Sequence, residues 1–251
     1  MSVSHRPARR LLAGAAALLL TLGMTAFGAT AASAAPAVDI AIVPGSPEGP
    51  YDFVEYDGLV YFSGFNGSVY VLYSFDGTTL TEIVGGGDPE PVNVNGLVVH
   101  DDTLFFSGFN GADYVLYSWD GTDFDEISGG GDPTPLSPFD FVTFGGDLYF
   151  AAYNGANNAL YSWDGAEFTE ISGGGDPAPT GAFDLIVYDS KVFFVGDNGA
   201  NNVLYSWDGA GFTEITGGDS APTAPYDLFV HDGMLFFAGT DGGGAVLYSW
   251  D

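Results

Sequence analysis

Four asparagines, Asn66, Asn110, Asn154 and Asn198, recur at intervals of 44 residues, each followed by glycine. Phe65, Phe109 and Tyr153 precede the first three and Asp197 the fourth, while Asn157, Asn158, Asn201 and Asn202 lie just beyond. Aromatic surface beside a few placed polar groups is how ligand sites are commonly built. A flat ring suits a pyranose and an amide suits its hydroxyls. The same residues also make turns, because Asn-Gly tolerates the left-handed backbone. A second set, Asp88, Asp132, Asp176 and Asp219, follows glycine-rich runs. A third, Asp52, Asp140, Asp184 and Asp227, stands just ahead of apolar runs, with Gly96 breaking the series. Repeated carboxylates of this kind suit Ca²⁺, which takes oxygen ligands. No D-x-D-x-D-G loop accompanies them, and an aspartate there can instead cap backbone.

Catalysis is a poorer fit. It needs acids whose surroundings push their pKa values apart, and these carboxylates recur in equivalent settings. His100 and His231 share one repeat position, taken elsewhere by Tyr56, Phe144 and Tyr188, and read as structural. Trp119, Trp163, Trp207 and Trp250, with Phe75 as the fifth, also share one position. Each lies inside an apolar run beside Asp-Gly, or at the chain's last dipeptide, so packing is the expected role over sugar stacking.

The elements that must position these groups follow from the repeat. The leucine of each "LYS" is at 72, 116, 160, 204 and 247. Within one unit, "LVVH", "LFFSGF", "YVLYSW" and "FDEI" are short β-branched and aromatic runs separated by turn residues, which read as strands and hairpins. Four antiparallel strands in about 44 residues, repeated five times, is the blade pattern of a β-propeller. The fold class expected is therefore all-β: a five-bladed β-propeller of four-stranded antiparallel blades. The last unit stops after its third strand. Val38-Asp39-Ile40 lies thirteen residues before Phe53, as Ile215 lies thirteen before Leu228, so it aligns with the fourth strand. The ring is expected to close by pairing this N-terminal strand with the C-terminal one, which also removes two sheet edges. Alternation then places the loops bearing the asparagines and the glycine-rich crossings on one face.

Residues 1–35 have a basic start (His5, Arg6, Arg9, Arg10), an apolar stretch from Leu11 to Met24 and small residues Ala32-Ser33-Ala34-Ala35. This is the pattern of a cleaved signal peptide, with cleavage near Ala34-Ala35, and leaves 36–251 as one exported domain. Sec and twin-arginine export both stay open. Without that segment, 33 acids minus one lysine, Lys191, gives a formal charge of −32. Nucleic acid is excluded as a partner, since binding it requires neutralising phosphates with Lys and Arg. No membrane insertion is expected. There is no cysteine, so stability must come from burial.

The stretch "LYFAAYNGANNALYSWDGAEFTEI", Leu148 to Ile171, resembles a bacterial secreted repeat family whose units read L-Y-F-x-A-x-D/N-G, a short gap, then L-W-x-x-D-G-T. "VYFSGFNG…LYSFDGT" and "LFFSGFNG…LYSWDGT" are further copies. The glutamate common before Leu-Trp in that family is replaced by Val71, Val115, Ala159, Val203 and Val246. The resemblance implies a secreted propeller and no established activity. In blade count and repeat length the chain is also similar to tachylectin-type five-bladed lectins, an analogy of fold alone. The function expected is a monomeric, non-enzymatic glycan binder acting through repeated loops, without a cofactor other than possible Ca²⁺. An extracellular scaffold binding protein partners is the alternative, and a glycoside hydrolase ranks below both.

Overall fold

The computed structural model describes residues 41–132, 134–216 and 222–251. Turn chemistry sets the local order. Asp57-Gly58, Asp101-Asp102, Gly145-Gly146, Asp189-Ser190 and Asp232-Gly233 all hold both residues at positive φ. That is the primed hairpin geometry whose twist matches the strands on either side.

The first sheet runs in sequence order through β1 (Glu48–Tyr56), β2 (Leu59–Phe65), β3 (Tyr70–Phe75) and β4 (Leu80–Glu82). The second contains β5 (Gly86–Gly87), β6 (Val92–His100), β7 (Thr103–Phe109), β8 (Tyr114–Trp119) and β9 (Asp123–Glu126), ordered β5-β9-β8-β7-β6. The third repeats it with β10 (Gly130–Gly131), β11 (Leu136–Phe144), β12 (Asp147–Tyr153), β13 (Asn158–Trp163) and β14 (Glu167–Glu170). The fourth has β15 (Thr180–Tyr188), β16 (Lys191–Asp197), β17 (Asn202–Trp207) and β18 (Phe212–Glu214). The last has only β19 (Thr223–His231), β20 (Met234–Thr240) and β21 (Ala245–Trp250).

Two features depart from a uniform set of four-stranded sheets. The glycine-rich crossings become strands: β5 and β10 pair in parallel with β9 and β14 of the sheet that follows each. Glycine makes this possible. Gly131 sits at φ 93°, and a Cβ there would strike the carbonyl oxygen of Phe168. The last sheet lacks a fourth strand, so among the described residues no strand joins it to the first and the sheets are not closed. The closing strand expected at Val38–Ile40, the signal peptide and Asp219 lie outside the described residues.

Burial on both faces of each inner sheet follows from the apolar runs. Tyr61 and Leu72 of the first sheet pack on Leu104, Phe106, Tyr117 and Trp119 of the second. Phe105 and Leu116 meet Leu148, Phe150, Tyr161 and Trp163. Tyr149 and Leu160 meet Val192, Phe194, Tyr205 and Trp207, and Phe193 and Leu204 meet Leu235 and Phe237. The tryptophans at 119, 163 and 207 are thus buried between sheets. Each is tilted on the phenylalanine across its hairpin, Phe124, Phe168 or Phe212, with centroids 4.7–4.9 Å apart.

Candidate functional site

The four repeated asparagines come together with residues that their local sequence does not announce. Asn154 Oδ1 accepts from the backbone N–H groups of Ala156 and Asn157, both at 2.9 Å, closing the loop as an Asx turn. Its Nδ2 donates to Glu170 Oε1 at 2.8 Å. The Tyr161 hydroxyl donates to the other oxygen of the same carboxylate at 3.3 Å. This three-residue link recurs as Asn66–Glu82–Tyr73, Asn110–Glu126–Tyr117 and Asn198–Glu214–Tyr205. Both ends of each amide are therefore occupied by the chain itself. Burial, reinforced by the adjacent glutamate, pushes the Tyr117 and Tyr161 hydroxyls far up and that of Tyr205 up to about 12.

The crossing aspartates are placed just as systematically. Asp88, Asp132 and Asp176 each accept, at 2.8 Å, the backbone N–H of Glu126, Glu170 or Glu214 in the next sheet. Their own N–H groups donate to the carbonyls of Phe124, Phe168 and Phe212. Carboxylate and amide together latch each crossing onto its neighbour's fourth strand.

The third set, read as candidate Ca²⁺ ligands, forms a ladder across the first strands. Asp52, Asp140, Asp184 and Asp227 sit at bulges with φ between 53° and 56°. Asp52 accepts the N–H of Gly96, Asp140 that of Asp184, and Asp184 that of Asp227, at 2.6–3.0 Å. These carboxylates bond backbone in the following sheet. Among the described residues no group of three or more His, Cys, Asp or Glu is placed to hold a metal ion. Gly96 breaks the ladder for a steric reason: a Cβ there would lie 2.8 Å from the Phe141 ring, where the other following sheets present Leu97, Leu185 or Leu228.

The aromatic members of the predicted site behave differently. Phe65 and Phe109 are the last residues of β2 and β7, opposite Tyr70 and Tyr114 in register. The rings in these pairs lie 5.5 and 5.4 Å apart and stay partly exposed. Tyr51 meets Tyr70 edge-on at 5.3 Å and donates its hydroxyl to the Val94 carbonyl in the second sheet. Beside Phe65 lies an open depression of about 370 Å³, bordered by Ser46, Glu48, Asn66 and Tyr73. Tyr51, Tyr70 and Tyr114 were not singled out by sequence; the signal available was the fixed five-residue step from Phe65 to Tyr70 and Phe109 to Tyr114. The third and fourth sheets put Tyr153 opposite Asn158 and Asp197 opposite Asn202, so the paired rings belong to the first two sheets. No side-chain hydrogen bond ties Asn157, Asn158, Asn201 or Asn202 to the described residues, and all four reach solvent.

On the opposite face, Tyr56 and Tyr188 donate their hydroxyls to the carbonyls of Asp102 and Gly233 in the next sheet's turn. His100 takes this position in the second sheet and is buried, 3.8 Å from Asp101. Among the described residues no helix is long and apolar enough to cross a membrane.

Solved structures place this geometry in a class. The chain is similar to the β-propeller domain of the Trilobed protease from Pyrococcus furiosus, at 15% identity and TM-score 0.55, covering 80% of this chain and 68% of that one. It is similar to the extracellular domain of BT4673 from B. thetaiotaomicron, at 14% identity and TM-score 0.54, covering 79% of this chain and 26% of that one. Acylaminoacyl peptidase from Pyrococcus horikoshii follows at 15% identity and TM-score 0.50, with 77% of this chain and 32% of that one covered. The chain thus spans about a quarter to a third of the latter two proteins. The fold is that of a β-propeller domain. No protein-family model matches the sequence, and neither does any curated protein.

Proposed function

We propose that the protein is a secreted, non-enzymatic binding protein, built as a five-bladed ring closed by its N-terminal strand, that holds a glycan on the crossing face of its first two sheets. The observation that carries this reading is the run of part-exposed rings, Phe65–Tyr70 and Phe109–Tyr114 with Tyr51 beside them, next to a depression edged by Glu48. Flat apolar faces take the C–H side of a pyranose, and Glu48 and the tyrosine hydroxyls supply acceptors and donors for its hydroxyls. Asn157, Asn158, Asn201 and Asn202 extend the same face with amides that can bond a longer chain of sugars, and Tyr153, whose hydroxyl donates to the Gly155 carbonyl, adds an exposed ring. The asparagines at 66, 110, 154 and 198 shape the loops and are not the principal contacts. The carboxylates bonded to the repeated asparagines, Glu82, Glu126, Glu170 and Glu214, recur in equivalent settings, which favours binding over hydrolysis.

A glycan array run with and without Ca²⁺ tests the proposal. Binding to a restricted set of glycans, equal in both conditions, is the expected result. Binding seen only with Ca²⁺ would bring the Asp52, Asp140, Asp184 and Asp227 ladder back as a metal site. No glycan bound in either condition would favour a protein-binding scaffold.

A further inference from the structure

The depression beside Phe65 is edged by carboxylates that the later sheets either lack or cover. Glu48 opens β1 directly opposite Phe65. Val92, Leu136, Thr180 and Thr223 hold that place in the later sheets, and none is charged. Glu48 is exposed, and nothing among the described residues donates to its carboxylate. Gly49 beside it is at φ 54°, and a Cβ there would lie 3.0 Å from the Tyr70 hydroxyl. The bare glycine thus lets Tyr70 reach the start of β1, next to Glu48.

Glu82 is the second such group. The Asn–Glu–Tyr link recurs from sheet to sheet, but its cover does not. In the second, third and fourth sheets a glycine-rich crossing runs along the fourth strand, pairing Gly86 with Asp123, Gly130 with Glu167 and Gly175 with Phe212. Asp88, Asp132 and Asp176 of those crossings then accept the glutamate N–H. Pro44, 44 residues before Asp88, stands at the equivalent position ahead of the first sheet and has no carboxylate to offer. No strand among the described residues pairs with the free edge of β4. Glu82 is accordingly exposed, whereas Glu126, Glu170 and Glu214 are half-buried. Its oxygens take one hydrogen bond each, from Asn66 and Tyr73, and those two residues border the depression. A carboxylate has about four lone-pair sites, so each oxygen can accept once more.

Rings and uncovered carboxylates together select for positive charge. Among the described residues the sole Lys or Arg is Lys191, which follows the Asp189-Ser190 turn on the opposite face. Phe65 lies 5.5 Å from Tyr70, and Tyr70 lies 5.3 Å from Tyr51. Aromatic faces attract cations as well as the C–H side of a sugar. Two carboxylates fall short of the six to eight oxygens, roughly, that Ca²⁺ takes, whereas an ammonium has only its few N–H groups to place. We infer that the glycan held here is an amino sugar with a free, protonated amine, its ring on Phe65 and Tyr70 and its ammonium facing Glu48 and Glu82. This rests on the glycan reading given above and names the class of sugar. Uronic and sulfated sugars are repelled by the same two groups, and an N-acetyl group removes the charge they pair with.

Chitosan oligosaccharide, a chain of β-linked glucosamine, tests this against its N-acetylated counterpart and a glucose oligosaccharide of equal length. Titration calorimetry at about pH 6 keeps the amines protonated. An exposed ion pair contributes up to about fivefold in affinity, so two are expected to favour the amine form by about tenfold. Glu48→Gln should weaken the amine form by up to about fivefold and leave the affinity for the acetylated chain unchanged. Asp57→Asn, the same change of charge at a turn on the opposite face, should alter neither. An equal loss in both variants would mean that the acidic surface gathers the cation without a site, and overturns the inference. Equal or tighter binding of the acetylated or glucose chain would keep the glycan reading and reject the amine. Binding of none of the three rejects the inference, and the glycan reading falls with it if the array also shows no glycan bound.

Discussion

Phe150→Ala should cost about 3–5 kcal/mol of stability, the range for removing a buried ring from a packed core. Phe150 lies fully buried in β12, an inner strand of the third sheet. It stacks on Tyr161 at 5.9 Å, meets Phe168 edge-on at 6.2 Å and packs against Phe141 at 5.6 Å. With sheets on both sides, little can collapse into the space left by the ring. A domain of this kind is stable by only about 5–15 kcal/mol, so the variant should sit near the edge of folding. Urea unfolding followed by tryptophan fluorescence checks this, since Trp163 is buried in the same cluster. A midpoint shift within error of zero would mean that the packing described between the second and third sheets is wrong.

A steep loss of stability above pH 10 is the second large effect. An unperturbed tyrosine ionises near 10.0, while Tyr117, Tyr161 and Tyr205 are pushed well above that, Tyr205 to about 12. Burial is the first cause in each, followed by the charge of the glutamate that accepts the hydroxyl. Between the two pKa values the unfolded chain binds fewer protons than the native state, so the free energy of unfolding falls as pH rises. The contribution is complete below pH 10 and is lost as pH climbs through about 12. Thermal melts across that range should drop sharply. Ultraviolet titration should show these tyrosinates appearing together with unfolding, not before it. Separate early ionisation of all the tyrosines would contradict the burial of the Asn–Glu–Tyr links.

Much of the architecture was legible because the period of the turns and the apolar runs are both local signals. The five tight hairpins and the first three strands of every unit stand where two-residue turns of Asp, Gly and Ser and β-branched or aromatic runs place them. The parallel strands Gly86–Gly87 and Gly130–Gly131 were not legible, since glycine reads as loop until a neighbouring strand offers partners. The site was harder for the same reason. Asn154 and Glu170 are sixteen residues apart, and their contact exists only once three strands are in register. Loop chemistry alone makes such an asparagine look free for a ligand. The aspartates at 52, 140 and 184 likewise look like metal ligands until the bulge turns each toward the next sheet's N–H. Phe65 and Phe109 stand out in the sequence beside the repeated asparagines, whereas Tyr70 and Tyr114 join the same surface only through the β2–β3 and β7–β8 registers.

In the function proposed above, the amides of the crossing face hold the fold and its exposed rings take the ligand. The measurement that tests this division compares two variants against a glycan identified on the array, each with its melting temperature. Tyr70→Ala with Tyr114→Ala should abolish binding and leave the melting temperature nearly unchanged, because both rings are partly exposed. Asn110→Ala with Asn154→Ala should keep the affinity measured well below its melting point while lowering that melting point, because four Asx-turn bonds and two bonds to glutamate are lost. Binding lost in the asparagine variant with stability intact, and retained in the tyrosine variant, would contradict the account.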